Sequence, residues 1–473
     1  MKYVLVALTA ASFATHFSKC HQAFAQDQRG DAIFGGSATE EPTEPSAPGS
    51  AKQTDAANGA PLFGETLQVG GRLEWRNQSA QQEQQKFQMA KYSQLKRADI
   101  YFDSRPNPDV RSLLRLRFSE EVPANSRRDD QPAATSTACE KCVKTEIGEF
   151  WFKWDTANSV FYTLGKQQLK WGSGRLWNPT DFTAGSVRDP LALFDSRLGQ
   201  ELFKVHIPIE SYGFNYYAIA QFDNMKRSDD IGGALRGEFA FGGIAEAALS
   251  FQTRQDKPIQ AGFDVSSGLG PLDVYTEVAV TKRQGRTFYK GRIDPTTGQL
   301  PTEEDREDET FRQIVGGLQY TYKYSDEDNV TIGGEYFDNG LGYDDRVLEL
   351  YALIKQQATP LYAGRRYAGV YLRLASPGTW NDTSFFVNSI KNVSDKTSVS
   401  RVTATWTLYK DLTVEAFLSQ CSGDYGELCF RIPGEFKAFA ANPTLTENER
   451  QTLAALPTKR TRSNAGFGLS MNF

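Results

Sequence analysis

From Glu65 onward, apolar and polar residues alternate with a period of two, the mark of strands whose two faces meet different surroundings. Leu67, Val69, Gly71, Leu73 and Trp75 interleave with Gln68, Arg72, Glu74 and Arg76. Val110, Leu114, Leu116 and Phe118 interleave with Arg111, Arg115 and Arg117. Phe150, Phe152 and Trp154 do so with Glu149 and Lys153, and Val402, Ala404, Trp406 and Leu408 with Arg401, Thr403, Thr405 and Thr407. The pattern predicts 18 strands: 65–76, 94–104, 110–119, 146–155, 159–169, 201–209, 212–222, 233–241, 244–254, 259–267, 272–283, 312–324, 329–338, 365–375, 383–393, 398–409, 412–420 and 463–473.

A soluble β-sandwich also alternates, so the connections must separate the two architectures. Every second connection is short: Pro106-Asn107-Pro108-Asp109, Asp155-Thr156-Ala157-Asn158, Gly242-Gly243, Ser325-Asp326-Glu327-Asp328, Pro377-Gly378 and Lys410-Asp411. The others are mostly long and polar, notably 120–145, 170–200, 284–311, 339–364 and 421–462. Turns on one side and loops on the other is how bacterial outer-membrane barrels are built, and a sandwich has no reason to sort its connections this way. The predicted fold class is therefore all-β, a transmembrane antiparallel β-barrel with short periplasmic turns and long extracellular loops, spanning 64–473.

A barrel also follows from the solvent. An open sheet in hydrocarbon leaves unpaired edge N–H and C=O groups at several kcal/mol each, and joining the last strand to the first removes both edges. Strands 65–76 and 463–473 are thus expected neighbours. Ala465, Phe467, Leu469, Met471 and Phe473 alternate with Gly466, Gly468, Ser470 and Asn472. This resembles the closing strand of bacterial outer-membrane proteins, whose terminal Phe is read by the barrel-assembly machinery; the resemblance makes Phe473 the expected contact. Aromatics near strand ends (Trp75, Tyr92, Trp154, Tyr212, Tyr324, Tyr336, Tyr409 and Phe473) suit interfacial girdles.

The N-terminus reads as an export signal. Met1-Lys2-Tyr3 is a short basic region, Val4 to Ala14 is apolar, and Ala23-Phe24-Ala25 has the small-x-small form of a cleavage site. The apolar run is too short to span a bilayer, which needs about 20 residues. Residues 1–25 are thus an expected signal peptide, cleaved near Ala25, and the Gly/Pro/Ser-rich stretch 26–63 an expected flexible periplasmic leader. No later run approaches the length of a membrane helix. A mean hydropathy of −0.50 does not oppose a barrel, because only alternate residues of each strand face lipid.

Charge narrows the partners. The formal net charge of −5 becomes −7 when Lys2 and Lys19 leave with the signal, which argues against nucleic acid. The expected partners are outer-membrane lipid and hydrophilic solutes or an acidic polysaccharide. Four cysteines remain beyond residue 25, as the close pairs Cys139/Cys142 and Cys421/Cys429, and an exported chain favours disulfides. The Cys-x-x-Cys spacing also occurs in redox and zinc sites, but no His lies near it and no βαβ unit surrounds it.

Enzymatic readings are tightly bounded. After loss of His16 and His21 only His206 remains, so a Ser-His site would need it and a multi-His metal site is impossible. No cofactor, metal site or catalytic residue is expected. With polar parity taken as inward, the wall carries Arg72, Arg76, Arg97, Arg111, Arg115, Arg117, Glu149, Lys153, Arg373 and Arg401. Glu74, Asp99, Asp103, Lys204, Lys323, Glu335 and Glu415 share that parity. At mid-depth an Arg or Lys facing lipid costs about 2–4 kcal/mol. Two readings stay open: ion-pair ladders filling a wet wall, or a positive stripe that draws anions.

The most distinctive segment runs Gly165-Lys166-Gln167-Gln168-Leu169-Lys170-Trp171-Gly172-Ser173-Gly174-Arg175-Leu176-Trp177-Asn178-Pro179-Thr180-Asp181-Phe182. Long exposed loops are often functional. Either 170–200 folds into the barrel and narrows it, with Lys170, Arg175, Asp181, Arg188, Asp189, Asp195 and Arg197 at the constriction, or it caps the mouth from outside. A strand ending Gly-Lys-Gln, followed by Trp171-Gly172-x-Gly174-x-x-x-Asn178-Pro179-x-Asp181, resembles a group of proteobacterial outer-membrane barrels that includes the alginate-export porins. Glu335-Tyr336-Phe337-Asp338-Asn339-Gly340-Leu341-Gly342-Tyr343 is similar to porins of that broad class. The resemblance implies 18 strands, an arginine-lined anion-selective pore and export of an acidic polysaccharide, with the arginines above plus Lys170, Arg175 and Asp181 as its pore residues.

Two loop helices are expected, at 345–356 and after a capping box at Thr446-Glu447-Asn448-Glu449. The expected function is a porin-like channel for hydrophilic solutes, anions among them. Polysaccharide export and a closed-lumen surface or adhesin barrel are the alternatives.

Overall fold

The computed structural model describes residues 60–61, 66–82, 92–122, 142–191, 197–223, 225–293, 299–325, 328–431, 450, 459 and 461–473. Eighteen strands form its barrel. They begin with β1 (Leu67–Gln82), β2 (Tyr92–Asn107), β3 (Val110–Val122), β4 (Cys142–Thr156), β5 (Val160–Gln167) and β6 (Gln200–Ile209). Next come β7 (Phe214–Gln221), β8 (Gly232–Phe241), β9 (Ala245–Thr253), β10 (Ile259–Leu269), β11 (Leu272–Lys282) and β12 (Thr310–Lys323). The last six are β13 (Asn329–Asn339), β14 (Arg366–Ala375), β15 (Thr383–Asn392), β16 (Ser398–Tyr409), β17 (Leu412–Ser422) and β18 (Thr461–Asn472).

Each strand pairs antiparallel with its sequence neighbours, and β18 closes on β1 from Arg72↔Asn472 to Gln82↔Thr461. The seam continues past the last strand through Gly71 N–H to Phe473 O (2.9 Å) and Phe473 N–H to Gly71 O (3.0 Å). Below it the two-residue strand Ala60–Pro61 pairs with Gln68 and Val69. No sheet edge is left in the belt, as hydrocarbon demands. Among the described residues no helix is long and apolar enough to cross a membrane; the strands do the crossing.

The alternation read from the sequence becomes two surfaces. Leu73, Leu235, Leu249, Leu318, Ile332, Val370, Leu418 and Phe467 stand exposed on the outside. On one soluble surface so much apolar area would be a liability; around a closed cylinder it is a lipid belt. Tyr212, Tyr324, Trp380 and Tyr409 are exposed beside the short turns, where a girdle would lie.

β1 and β2 run past the predicted ends at 76 and 94. Pairing continues to Ser79↔Tyr92 because the ladder needs backbone partners only, and it outlasts the apolar alternation. Among the described residues the register shifts at four places, beside Gln81/Gln82, Ser104/Asn107, Arg115/Leu116 and Thr407/Tyr409. At the long-loop end a short hairpin, Phe288–Lys290 with Thr302–Glu304, packs beside helix α1 (Arg346–Ile354). Asp345 caps α1 by accepting from the Val347 and Leu348 N–H groups, which places the expected 345–356 helix. The expected signal peptide, nearly all of the leader and the capping box at Thr446 lie outside the described residues.

Candidate functional site

On the inward faces an arginine-rich side stands opposite a side that meets the loop, which also holds charge, Arg236 of β8 pairing with Asp264 of β10 at 2.9 Å. On β1–β4, β16 and β17 the inward parity carries the arginines and their acids. Arg76 and Arg97 both reach Glu74, at 2.9 and 3.5 Å, while Arg76 and Arg401 both reach Glu415, at 3.8 and 3.1 Å. Arg111 and Arg105 share Asp103 (2.9 and 3.1 Å). Arg117 pairs with Asp99 (2.7 Å) and Arg115 with Glu149 (3.3 Å). Of the predicted wall residues, Arg76, Arg97, Arg111, Arg115, Arg117, Glu149 and Arg401 lie in ion pairs, several of which share a carboxylate. Arg401 also lies 4.0 Å over the Phe417 ring.

Lys153 sits over Phe161 (5.2 Å), whose ring neighbours His206, and His206 stacks on Tyr217 at 4.5 Å. The His206 Nε2 meets Asn215 Oδ1 at 2.9 Å, the packing of a wall residue. Arg72 is on the inward parity of β1 opposite Asp99, and Arg373 shares the inward parity of Tyr371 on β14.

The other side is covered by the loop. Leu176, Trp177 and Leu191 bury against Val315 of β12, Phe337 of β13, Tyr367 and Tyr371 of β14, and Phe386 and Ile390 of β15. Trp171 and Phe182 bury against Leu202 of β6, Ile219 of β7, Ala234 of β8 and Ala279 of β11. All these wall residues have the inward parity, so the described part of 170–200 is folded into the barrel and not over its mouth.

Two carboxylates on the wall fix the loop. Glu335 of β13 accepts from the backbone N–H groups of Arg175, Leu176 (2.9 Å) and Trp177 (3.1 Å) and from Tyr275 OH (2.7 Å). Glu277 of β11 accepts from Gly174 N–H, Thr180 N–H (3.2 Å), Thr180 Oγ1–H (2.8 Å) and Asn178 Nδ2 (3.2 Å). Successive N–H groups converging on one anion make a nest, and hydrogen bonds to a charged acceptor contribute about 1.5–3 kcal/mol each. The Trp-Gly-x-Gly motif is what the nests require. Gly172 has φ +88°, and a Cβ there would meet the Glu277 carboxylate and Thr180 Oγ1. On the wall, Gly369 leaves the space that Leu176 and Trp177 fill.

Within the loop, Asp181 accepts from Trp171 N–H (3.0 Å) and pairs with Arg197 (2.8 Å), so this expected pore residue is an internal brace. Arg188 donates to Asn178 Oδ1 (3.3 Å), and Asp189 accepts from Leu191 N–H (2.9 Å). Arg175 is exposed, with its guanidinium over the Tyr275 ring at 5.7 Å, and Lys170 is exposed near the loop's start. Asp195 lies outside the described residues. Glu277, Tyr275 and Thr180 escaped the sequence reading; the available signal was a lone acid amid Val274, Val278, Ala279 and Val280.

Cys421 and Cys429 are bridged, with Cα atoms 5.6 Å apart. Cys139 and the side chain of Cys142 lie outside what is described. Among the described residues no group of three His, Cys, Asp or Glu side chains has metal-binding geometry.

Fold and lumen define a class: a closed, eighteen-stranded transmembrane β-barrel with a loop seated inside it. Solved structures similar to this chain include OccAB1 of Acinetobacter baumannii, at 9% identity and TM-score 0.48, covering 89% of this chain and 99% of that one. OpdK of Pseudomonas aeruginosa with vanillate is 10% identical, with TM-score 0.47, covering 86% and 98%. OccK2 (OpdF) of the same species, in complex with glucuronate, has the same identity, TM-score and coverage. No protein-family model matches the chain, and no curated protein matches it.

Proposed function

We propose that the chain is an outer-membrane channel through which small hydrophilic anions diffuse. The observation that carries this reading is the sharing of acids on the arginine-rich side: the guanidiniums of Arg76, Arg97 and Arg401 meet two carboxylates, Glu74 and Glu415. A wall dense in guanidiniums attracts anions and repels cations of the same size. The loop anchored on Glu277 and Glu335 narrows the lumen against that wall, so a solute passes the arginines at close range. The apolar belt assigns the barrel to a bilayer, and the paired terminal Phe473 suits recognition by the barrel-assembly machinery.

The test is the zero-current potential of the purified protein in a planar bilayer under a KCl gradient, together with flux of a small carboxylate in proteoliposomes. Anion preference and carboxylate flux are expected. A cation-preferring pore refutes the assigned selectivity. Absence of conductance above the lipid baseline refutes the channel and favours a closed surface barrel. Passage of an acidic polysaccharide alone favours the export alternative.

A further inference from the structure

At the long-loop end three connections meet over a buried acidic cluster that the lumen does not use. Glu349 comes from α1, Asp395 from the turn after β15, and Glu427 from the loop after β17; their exposures are 0%, 1% and 3%. Asn392 Nδ2 lies 2.9 Å from both Glu349 Oε2 and Glu427 Oε2. Glu427 also accepts from Tyr367 OH (2.6 Å) and Ala363 N–H (3.1 Å). Asp395 accepts from Glu427 N–H, Thr397 N–H and Thr397 Oγ1–H, each at 2.7 Å.

The charged and titratable groups around the cluster come from every element packed on it. Asp395, Glu427 and Tyr367 face Glu349 directly. Arg346 of α1 turns away, donating to the Asp395 backbone oxygen (2.7 Å) and lying over Tyr425 beside Asp424. Arg286 lies over the Tyr343 ring at 5.9 Å and donates to the Leu341 backbone oxygen.

The donors that reach these three carboxylates are neutral: an amide, hydroxyls and backbone N–H groups. One oxygen, Glu349 Oε1, is buried with no hydrogen-bond partner. An orphaned carboxylate oxygen at 0% exposure, beside two other acids, is costly. A proton on it turns the orphan acceptor into a donor towards Asp395 and removes one of three like charges.

We propose that Glu349, Asp395 and Glu427 form a proton-held latch that ties three loops of the long-loop mouth together when protonated and releases them when it ionises. Burial and the neighbouring acids push the Glu349 carboxyl up to about 10, and burial pushes Glu427 up to about 7. Both lie above the ordinary Glu value, so the folded latch binds more protons than the opened one. Its stability is full below the ordinary value and falls as pH rises towards each raised one. Acid tightens the latch, and alkali loosens it. Any effect on flux rests on the channel reading; the latch itself does not.

Amide hydrogen exchange of the full chain in detergent, corrected for intrinsic rates, tests the latch without measuring conductance. The segments are 346–354, 361–364 and 423–429. Each proton released on opening changes the opening equilibrium about tenfold per pH unit. Between pH 7.5 and 9, wild-type protection should fall about tenfold per unit, and Glu349→Gln, whose amide is a permanent neutral donor, should stay nearly flat. A flat wild-type profile overturns the proposal even if the variant fails to fold, and leaves the channel reading standing. An unchanged slope in Glu349→Gln overturns it too, as does protection that follows calcium or chelator instead of pH.

Discussion

Removing the Glu335 side chain should release the loop from the barrel wall while leaving the barrel closed. In Glu335→Ala the backbone N–H groups of Arg175, Leu176 and Trp177 and the Tyr275 hydroxyl lose their acceptor together. A buried donor left unpaired costs about 1–3 kcal/mol. The four donors share one anion and water refills part of the space, so the costs do not add. The scale is that of breaking a buried charged network, about 3–5 kcal/mol. At the lower end this shifts the seated-to-released equilibrium of the loop about 150-fold. The strand ladders are untouched, because Glu335 pairs through its backbone with Gly317 and Gly369. Single-channel recording is the assay: mean conductance should rise and open-channel noise increase, with Glu335→Gln intermediate because one carbonyl acceptor survives. Channels of Glu335→Ala that match wild type in both conductance and noise would refute the anchoring argument.

Other perturbations probe the rest of the molecule. Arg76→Glu leaves Arg97 and Arg401 facing three carboxylates, so the zero-current potential should move towards cation preference; unchanged anion preference would show that these arginines do not set selectivity. Val370→Arg places a charge on the outer face of β14, and denaturant unfolding in lipid should show a loss of about 2–4 kcal/mol; full stability would mean that this face is not in hydrocarbon. Reducing Cys421–Cys429, which closes a short loop, should cost that loop about 2–3 kcal/mol of constraint. Amide exchange of 423–431 should then quicken while β16 and β17 stay protected, and equal exchange in both redox states would contradict this.

Much of the fold was legible because a barrel strand shows its two faces in alternate letters. The closing pair 65–76 and 463–473, the sorted turns and the helix capped by Asp345 all follow from patterns no longer than a dozen residues. The site was only half legible. Where the lumen is wet, inward residues are polar, and Arg76, Arg97 and Glu74 announce themselves. Where the loop packs, inward residues such as Val315, Phe337, Tyr367 and Ile390 are as apolar as those facing lipid, and polar parity loses its meaning. Asp181 was legible as part of a distinctive loop, but whether its carboxylate faces solute or braces Trp171 and Arg197 depends on how that loop folds back on itself. Glu277 and Glu335 carry their meaning through backbone N–H groups about 100 and 160 residues away in sequence, a contact that no local pattern encodes.

Nitroxide scanning through residues 72–76 of β1, one cysteine at a time with the native cysteines replaced, addresses the two-faced wall most directly. Labels replacing Leu73 and Trp75 should respond to oxygen dissolved in lipid, and those replacing Arg72, Glu74 and Arg76 to a water-soluble relaxation agent, in strict alternation. Uniform access of the aqueous agent to all five positions, or alternation with the opposite phase, would contradict a barrel that presents its apolar side chains to lipid and its charged ones to the lumen.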